Sequence, residues 1–384
     1  MRKYQVISAD GHLEVPAQSW AKYVPERQRD LVPRLVSKEA ADCWVLGEFE
    51  MVNWGNLVGE LAYDEIKPGV WRYTNPDGSP RPGTGDPTQR LHEQDLDGID
   101  AEVLFPPVHG PKFLRLIART EKEAYLANVR AYNTWLAEEY CAVAPDRLIG
   151  NGIVPETGVE DAVAEMTRCR ELGLRSMCLL MWPNGGPTRA LDGTDDRFFA
   201  ASVDLDMRIS PHSRLGEGQA EDHRNGIYQP RWHGTENSVW QLILSGVFDR
   251  FPSLQVYFAE TQAGWLPHVM NWADEFYQRW YTYFDARLPR LPSEYIKEHM
   301  FFSFIDDRLA MPLRRYIGID HLMWGSDFPH SVGTFPHTTD ILDEMFEDVP
   351  AEERRKVLVE NPCRFFGLDP DKELTPTPAL AGAR

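Results

Sequence analysis

The chain has 384 residues, of which 42% are hydrophobic and 26% are charged, and its formal net charge at pH 7 is −19. So acidic a chain, with Lys and Arg scattered along it, argues against a nucleic-acid backbone or an anionic membrane surface as partner. The apolar stretch near the amino terminus is too short for a signal peptide or a membrane span, and we expect a cytoplasmic protein. The five cysteines form no CxxC pair and are expected to be buried, reduced side chains.

Short apolar runs alternate with amphipathic stretches along the chain. Eight runs are apolar on both faces, as in parallel strands that are covered on both sides. They lie at residues 4–10, 100–106, 148–155, 175–181, 207–212, 254–260, 300–306 and 321–327. Alternation with helices eight times over predicts an α/β fold, a (β/α)8 TIM barrel. The rival fold, a doubly wound open sheet, is disfavoured by this count and because no glycine-rich dinucleotide loop follows any strand.

Two segments interrupt the alternation. Residues 41–87 are predicted to be a hairpin-bearing insertion after the first strand, and residues 213–235 a long, Gly-rich, lid-like loop after the fifth. We expect residues 1–370 to form one barrel domain and residues 371–384 a flexible tail. Both interrupting segments carry Trp and Tyr. These residues could cover an aromatic or cyclic substrate, pack against the barrel, or form a dimer surface.

Polar residues cluster at the carboxyl ends of the predicted strands, the face on which barrel active sites form. They are Asp10 and His12 on the first strand, His212 on the fifth, Glu260 on the sixth and Asp327 on the eighth, with His330 three positions later. Imidazole nitrogens and carboxylate oxygens are the usual ligands of divalent metals in proteins. One strand-end histidine is more commonly structural, but this set at four of eight strand ends predicts a metal site.

Several motifs occur in the order of the barrel. They are the D-x-H of residues 10–12, the "PH" that closes the fifth strand, "AETQAGWLP", "WGSDFPH", "LHEQDLDGIDAEVLFPP", "YNTWLAEEY", "PDRLIGNGIVP" and "ENPCRFFGL". Together they span residues 4 to 368, and the sequence resembles the amidohydrolase superfamily. The resemblance is greater to its amidohydrolase-2 branch, which includes aminocarboxymuconate semialdehyde decarboxylase-like proteins. It implies a (β/α)8 barrel that binds a divalent metal inside its mouth.

The resemblance also implies the ligands of that metal, which are Asp10, His12, His212 and Asp327. Much of the superfamily has H-x-H on the first strand, whereas this chain has Asp at the first position, so iron and manganese are candidates alongside zinc. Decarboxylases of the branch typically have His at the end of the sixth strand, where this chain has Glu260. Glu260 is therefore expected to shuttle protons or to bind a second metal. The fourth strand has no Lys or Glu to bridge two metals, which favours one metal over two.

Glu260 in place of that His favours a metal-dependent hydrolase. A metal-activated water would cleave an amide, ester or thioester of a small aromatic or cyclic acid, with Asp327 as general base. Glu260 or His330 would give the leaving group its proton. The alternative is a metal-dependent, non-oxidative decarboxylase of an aromatic or muconate-type acid. A barrel that binds metal or ligand without catalysis is a third hypothesis, which the full ligand set disfavours.

Three further residues are candidates for substrate binding. Arg214, two positions after His212, can hold a substrate carboxylate through two hydrogen bonds or form a loop salt bridge. Glu14 either enters the mouth of the barrel or caps the turn before Pro16. His109 either lines the pocket or closes a Pro/Gly turn. We expect the partners to be a small carboxylic acid derivative as substrate and a second copy of the chain in a homodimer.

Overall fold

The structure is a computed structural model, and it describes residues 2–39, 41–52, 72–107, 109–184, 193–213, 215, 232–283 and 287–380. Eight strands form one sheet, and their order in the sheet is their order along the chain. Their bounds are β1 Ile7–His12, β5 Ala101–Phe105, β6 Leu148–Ile153, β7 Ser176–Leu179, β8 Arg208–Pro211, β9 Val256–Phe258, β10 Met300–Phe304 and β11 Leu322–Trp324. All neighbouring pairs in this sheet are parallel. The predicted sheet order of a (β/α)8 barrel is thus confirmed.

The sheet closes where its last strand returns to its first. The backbone N–H of His12 donates to the carbonyl of Phe328 at 2.7 Å, and the N–H of Asp327 donates to the carbonyl of Asp10 at 2.9 Å. A Cβ atom at Gly325 would lie 2.5 Å from the Cβ of Asp10, so only glycine allows the two chain segments to approach this closely. The closing seam therefore lies directly beside the predicted metal ligands of the first and eighth strands.

Helices follow the barrel strands and cover the outside of the sheet. The helices are α1 Pro87–Asp97, α2 His109–Ala118, α3 Lys122–Trp135, α4 Val159–Glu171, α5 Asp196–Asp204, α6 Trp232–Leu244, α7 Val247–Arg250, α8 Leu266–Trp280, α9 Pro292–His299, α10 Ala310–Ile317, α11 Thr338–Met345, α12 Ala351–Arg355 and α13 Asn361–Phe366. The first of them shows how local sequence sets helix ends. The side chain of Asp86 accepts from the N–H of Gln89 at the start of α1, and Gly98 ends the helix with a φ of 76°.

The core lies between the sheet and these helices, and inside the barrel. All residues of β1, β5, β6, β7, β9, β10 and β11 are buried, as expected of strands that are covered on both faces. The five cysteines are buried as predicted. Among the described residues, no helix combines the length and the apolar character needed to cross a bilayer.

A second, smaller sheet follows the first barrel strand. It has three antiparallel strands, β2 Arg34–Ser37, β3 Asp42–Leu46 and β4 Phe49–Val52. Its β3–β4 hairpin lies in the predicted insertion, whereas β2 precedes residue 41. The third strand stabilises a hairpin that would be marginal alone. Residues 53–71 of the predicted insertion lie outside the described residues, as does most of the predicted loop 213–235.

The carboxyl-terminal segment, for which a flexible tail over residues 371–384 is predicted, makes hydrogen bonds to the barrel. The backbone N–H of Thr375 donates to the Asp146 carboxylate at 2.8 Å, and the Arg147 guanidinium donates to the hydroxyl of Thr377 at 2.7 Å. The segment therefore packs on the barrel as far as these contacts extend. Composition alone indicated flexibility because a short run of Thr, Pro and Ala has no hydrophobic periodicity of its own.

Candidate metal centre

The carboxyl ends of four barrel strands bring the predicted ligands together. Asp10 and His12 belong to β1, His212 directly follows β8, Glu260 follows β9, and Asp327 follows β11. Asp10, His12 and Asp327 are almost fully buried, and Glu260 is 8% exposed. One metal-competent cluster contains Asp10, His12 and His212, and a second contains His12, Asp327 and His330, with ligand atoms within 4.8 Å of one another in each.

His12 lies at the centre of both clusters. Its Nε2 is 2.8 Å from Nε2 of His212, 3.6 Å from Oδ1 of Asp10 and 3.3 Å from Oδ1 of Asp327. Its Nδ1 is 3.3 Å from the carbonyl oxygen of Pro106. Since a carbonyl only accepts, Nδ1 carries the proton and Nε2 presents its lone pair to the cluster, which is the tautomer that binds a metal.

The buried carboxylates of Asp10 and Asp327 indicate that a cation belongs in the cluster. Both oxygens of Asp10, and Oδ2 of Asp327, are buried without a hydrogen-bond partner among the described residues. Burial of an unpaired carboxylate is strongly unfavourable unless a cation compensates its charge. A divalent cation fits this arrangement, because anionic oxygens and an imidazole lone pair converge on one small volume.

Two of the site carboxylates are held by unusual backbone conformations. Glu260 has a φ of 55° and Asp327 a φ of 54°, in the left-handed region that residues other than glycine rarely adopt. Each such residue costs about 1–3 kcal/mol, and backbone strain of this kind clusters at functional sites. The conformation of Glu260 places its Oε2 3.6 Å from Nε2 of His212.

The electrostatic environment separates the protonation states of the two stacked histidine rings, His12 and His330, whose centroids are 4.1 Å apart. Burial lowers the pKa of His12 well below its ordinary value. Burial alone would also lower the pKa of His330, but the carboxylates of Asp327 and Glu14 outweigh it and raise that pKa to about 10. Burial raises the pKa of the Asp10 carboxyl. Without a cation, the site therefore keeps a neutral His12 beside a protonated His330.

The predicted substrate-binding residues fall in three different situations. Glu14 is 1% exposed, its Oε2 accepts from the hydroxyl of Tyr73 at 3.1 Å, and its Oε1 is 3.5 Å from Nε2 of His330. His109 is the first residue of α2, which follows β5. Arg214 lies outside the described residues. A substrate-binding role for these three residues stays a prediction.

The contacts of two side chains near the site, Tyr73 and Arg90, are not predicted by the sequence. The Tyr73 hydroxyl, from one of several aromatic residues in the insertion, reaches Glu14. Below the site, the Arg90 guanidinium pairs with the Glu102 carboxylate at 2.7 Å, and both side chains are 1% exposed. Arg90 also donates to the carbonyl of His12 at 3.1 Å and to that of Phe328 at 3.2 Å. Nothing in the sequence indicates which polar side chain of a helix makes such a contact with the barrel.

A parallel eight-stranded barrel with carboxylates and imidazoles converging at its strand ends defines a class of metal-dependent barrel enzymes. A sequence profile of the amidohydrolase family matches residues 106–368, and the chain belongs to this family. The chain is also 26% identical over 300 residues to 2-amino-3-carboxymuconate-6-semialdehyde decarboxylase from Dictyostelium discoideum. That similarity covers 75% of this chain and 79% of the relative.

Solved structures share the fold. An amidohydrolase from Mycobacterium avium subsp. paratuberculosis K-10 superposes with a TM-score of 0.74 at 20% identity, covering 96% of this chain and 100% of that one. 5-Carboxyvanillate decarboxylase from Novosphingobium aromaticivorans DSM 12444, a variant with bound manganese and a nitrobenzoic acid, superposes with a TM-score of 0.65 at 18% identity. It covers 95% of this chain and 97% of its own.

Proposed function

We propose that the protein is a metal-dependent, non-oxidative decarboxylase of a small aromatic or muconate-type carboxylic acid. The observation that supports this reaction over hydrolysis is the similarity to a decarboxylase along three quarters of the chain. The sequence alone favoured hydrolysis, because Glu260 replaces the His typical of related decarboxylases. One side chain at the edge of the cluster is weaker support than similarity over 300 residues.

Asp10, His12, His212 and Asp327 would hold the cation, which carries the divalent charge that the buried carboxylates require. When bound, it would supply a Lewis-acid contact to the substrate carboxylate and a neighbouring oxygen. The fold-sharing decarboxylase that contains manganese supports this metal as the first to be tested. The identity of the metal and the number of metal ions per chain are part of the proposal.

The residues of the chain would supply the proton that decarboxylation needs. When the bond between the substrate carbon and its carboxylate breaks, carbon dioxide leaves, and the electron pair that remains on the carbon must take up a proton. Nδ1 of His330 is 2.8 Å from Oδ1 of Asp327, so this buried pair can hold a proton at the contact. Asp327 and His330 are therefore the proposed donors, and Glu260 beside His212 is a second acid–base group at the rim.

The test uses purified full-length protein loaded with Mn²⁺ and a panel of carboxyl-labelled hydroxybenzoates and muconate-type acids in deuterated water. We expect labelled carbon dioxide from at least one acid and one solvent deuteron at the carbon that lost it. Metal-free protein is the control and should release none. Oxygen from labelled water in the product of an ester, amide or thioester, with no carbon dioxide from any acid, would show a hydrolase and contradict the proposal.

A further inference from the structure

A continuous row of buried polar contacts joins the small sheet to the candidate metal centre. The indole Nε1 of Trp44, on β3, donates to the hydroxyl of Tyr73 at 2.9 Å. The hydroxyl of Tyr73 donates to Oε2 of Glu14 at 3.1 Å. Oε1 of Glu14 lies 3.5 Å from Nε2 of His330, an ion-pair contact and not a hydrogen bond. Nδ1 of His330 is 2.8 Å from Oδ1 of Asp327. The row runs from a segment outside the barrel to a proposed metal ligand.

The direction of the hydrogen bonds in this row is fixed by chemistry. An indole N–H can only donate, so the hydroxyl of Tyr73 receives it and has its single hydrogen left for Glu14. The backbone holds Tyr73 in place as well, because its N–H donates to the Asp42 carboxylate at 2.7 Å. Asp42 is the first residue of β3. The small sheet thus fixes both the backbone and the hydroxyl of Tyr73.

Burial makes this arrangement restrictive. Trp44, Tyr73 and Glu14 are exposed by 0%, 2% and 1%. In such surroundings a carboxylate keeps the partners it has, because water is not there to replace them. With one oxygen held by Tyr73, the other oxygen of Glu14 lies 3.5 Å from Nε2 of His330.

We infer that Glu14, held by Tyr73 and Trp44, is a positioning residue that fixes the ring orientation of His330. With Nε2 facing Glu14, Nδ1 faces Asp327, so the ring cannot turn over without breaking both contacts. The small sheet is then a support for the proton-holding pair of Asp327 and His330. The inference uses the proposed function only for its kinetic readout.

The first experiment reads the ring of His330 in metal-free protein, independently of activity. Histidine labelled with nitrogen-15 is introduced, and the His330→Asn variant identifies the His330 signals among the 11 histidines. We expect Glu14→Gln and Tyr73→Phe to shift or broaden the His330 ring signals, since each of the two ring nitrogens reports its own surroundings. Tyr4→Phe is the matched control, because it removes another buried tyrosine hydroxyl that donates to the Asp146 carbonyl, away from the site. Unchanged His330 signals in both site variants would overturn the inference.

The second experiment separates positioning from direct binding. With Mn²⁺ and an accepted acid, we expect Tyr73→Phe to lower kcat by about 10- to 100-fold, with KM and metal stoichiometry unchanged. Tyr4→Phe should leave kcat as it is. A rise in KM alone for Glu14→Gln would make Glu14 a substrate ligand, and a loss of bound metal would make it a metal ligand; either result contradicts the inference. Shifted ring signals in a protein that decarboxylates nothing would retain the inference and reject the proposed function.

Discussion

Asp327 combines three features in one side chain. It is fully buried, its Oδ1 contacts His330 and lies 3.3 Å from Nε2 of His12, and its Oδ2 has no partner among the described residues. Its left-handed backbone suits Asn as well as Asp, so Asp327→Asn removes the charge with little change to the backbone.

For Asp327→Asn we expect weaker metal binding and about a 100-fold loss of activity, because one anionic ligand becomes neutral. Metal content after dialysis at limiting Mn²⁺ and the rate of carbon dioxide release measure the two effects. Asp204→Asn is the control, since Asp204 is exposed at the end of α5. An Asp327→Asn protein with full metal content and full activity would contradict the proposed site.

At the scale of secondary-structure elements, Arg90 joins three parts of the barrel. It extends from α1 to pair with Glu102 on β5, and it donates to the carbonyls of His12 and Phe328 on either side of the seam. Arg90→Met leaves the Glu102 carboxylate buried without its cation, and we expect a loss of about 3–5 kcal/mol in the free energy of unfolding. Urea denaturation measures it. Adding Glu102→Leu should recover part of that loss, and a double variant no more stable than Arg90→Met would contradict the ion-pair explanation.

The contact between α1 and α11 is predicted to depend on pH. Asp97, the last residue of α1, accepts from the N–H of Thr338 at 3.1 Å and from its hydroxyl at 2.7 Å. Burial raises the pKa of Asp97 from 3.8 to about 6. A carboxyl with a raised pKa in the folded state favours folding below its unfolded pKa, and that contribution is lost as pH rises through the folded pKa.

The stability of the wild type relative to Asp97→Asn should therefore fall as the pH rises from about 4 to about 6.5. Urea denaturation of both proteins at several pH values measures the difference, in which the titration of other groups cancels. A difference independent of pH over this range would show that Asp97 has an ordinary pKa.

On the scale of the whole molecule, the metal should stabilise the fold. A ligand that binds only the folded state adds about 2.7 kcal/mol to the free energy of unfolding at 100 times its Kd. We expect the Tm of metal-free protein to rise with Mn²⁺ concentration, and the rise to be much smaller for Asp327→Asn. A Tm independent of Mn²⁺ in the wild type would exclude tight binding of this ion.

The expected homodimer also stays a prediction. Sedimentation tests it, because a dimer has twice the mass of one chain, which is 44.0 kDa.

The barrel and the ligand cluster were predictable because they follow from local patterns. Buried parallel strands are continuous apolar runs, and the residues after them meet at one end of the barrel, so Asp10, His212 and Asp327 could be placed together from the sequence. Boundaries were less accurate: the first strand was predicted to end at residue 10 and extends to His12.

The supporting contacts were not predictable, since they join elements that are distant in sequence. Nothing in the periodicity of α1 indicates that Arg90 meets Glu102, or that Tyr73 reaches Glu14 over 59 positions. The sequence does not separate hydrolysis from decarboxylation, because the same types of ligand can serve both reactions and Glu260 alone does not distinguish them.

The position of the site on the barrel seam has a consequence for how the protein is made. Ser8 and Ser326, whose hydroxyls are 3.1 Å apart across the seam, are separated by 318 positions in the chain. During synthesis, the β1 ligands are present long before β11 leaves the ribosome, and β1 is until then an open sheet edge. A nascent chain that stops before β11 thus lacks both its edge strand and Asp327. Full metal occupancy would then require that β11 has been made and that the barrel has closed.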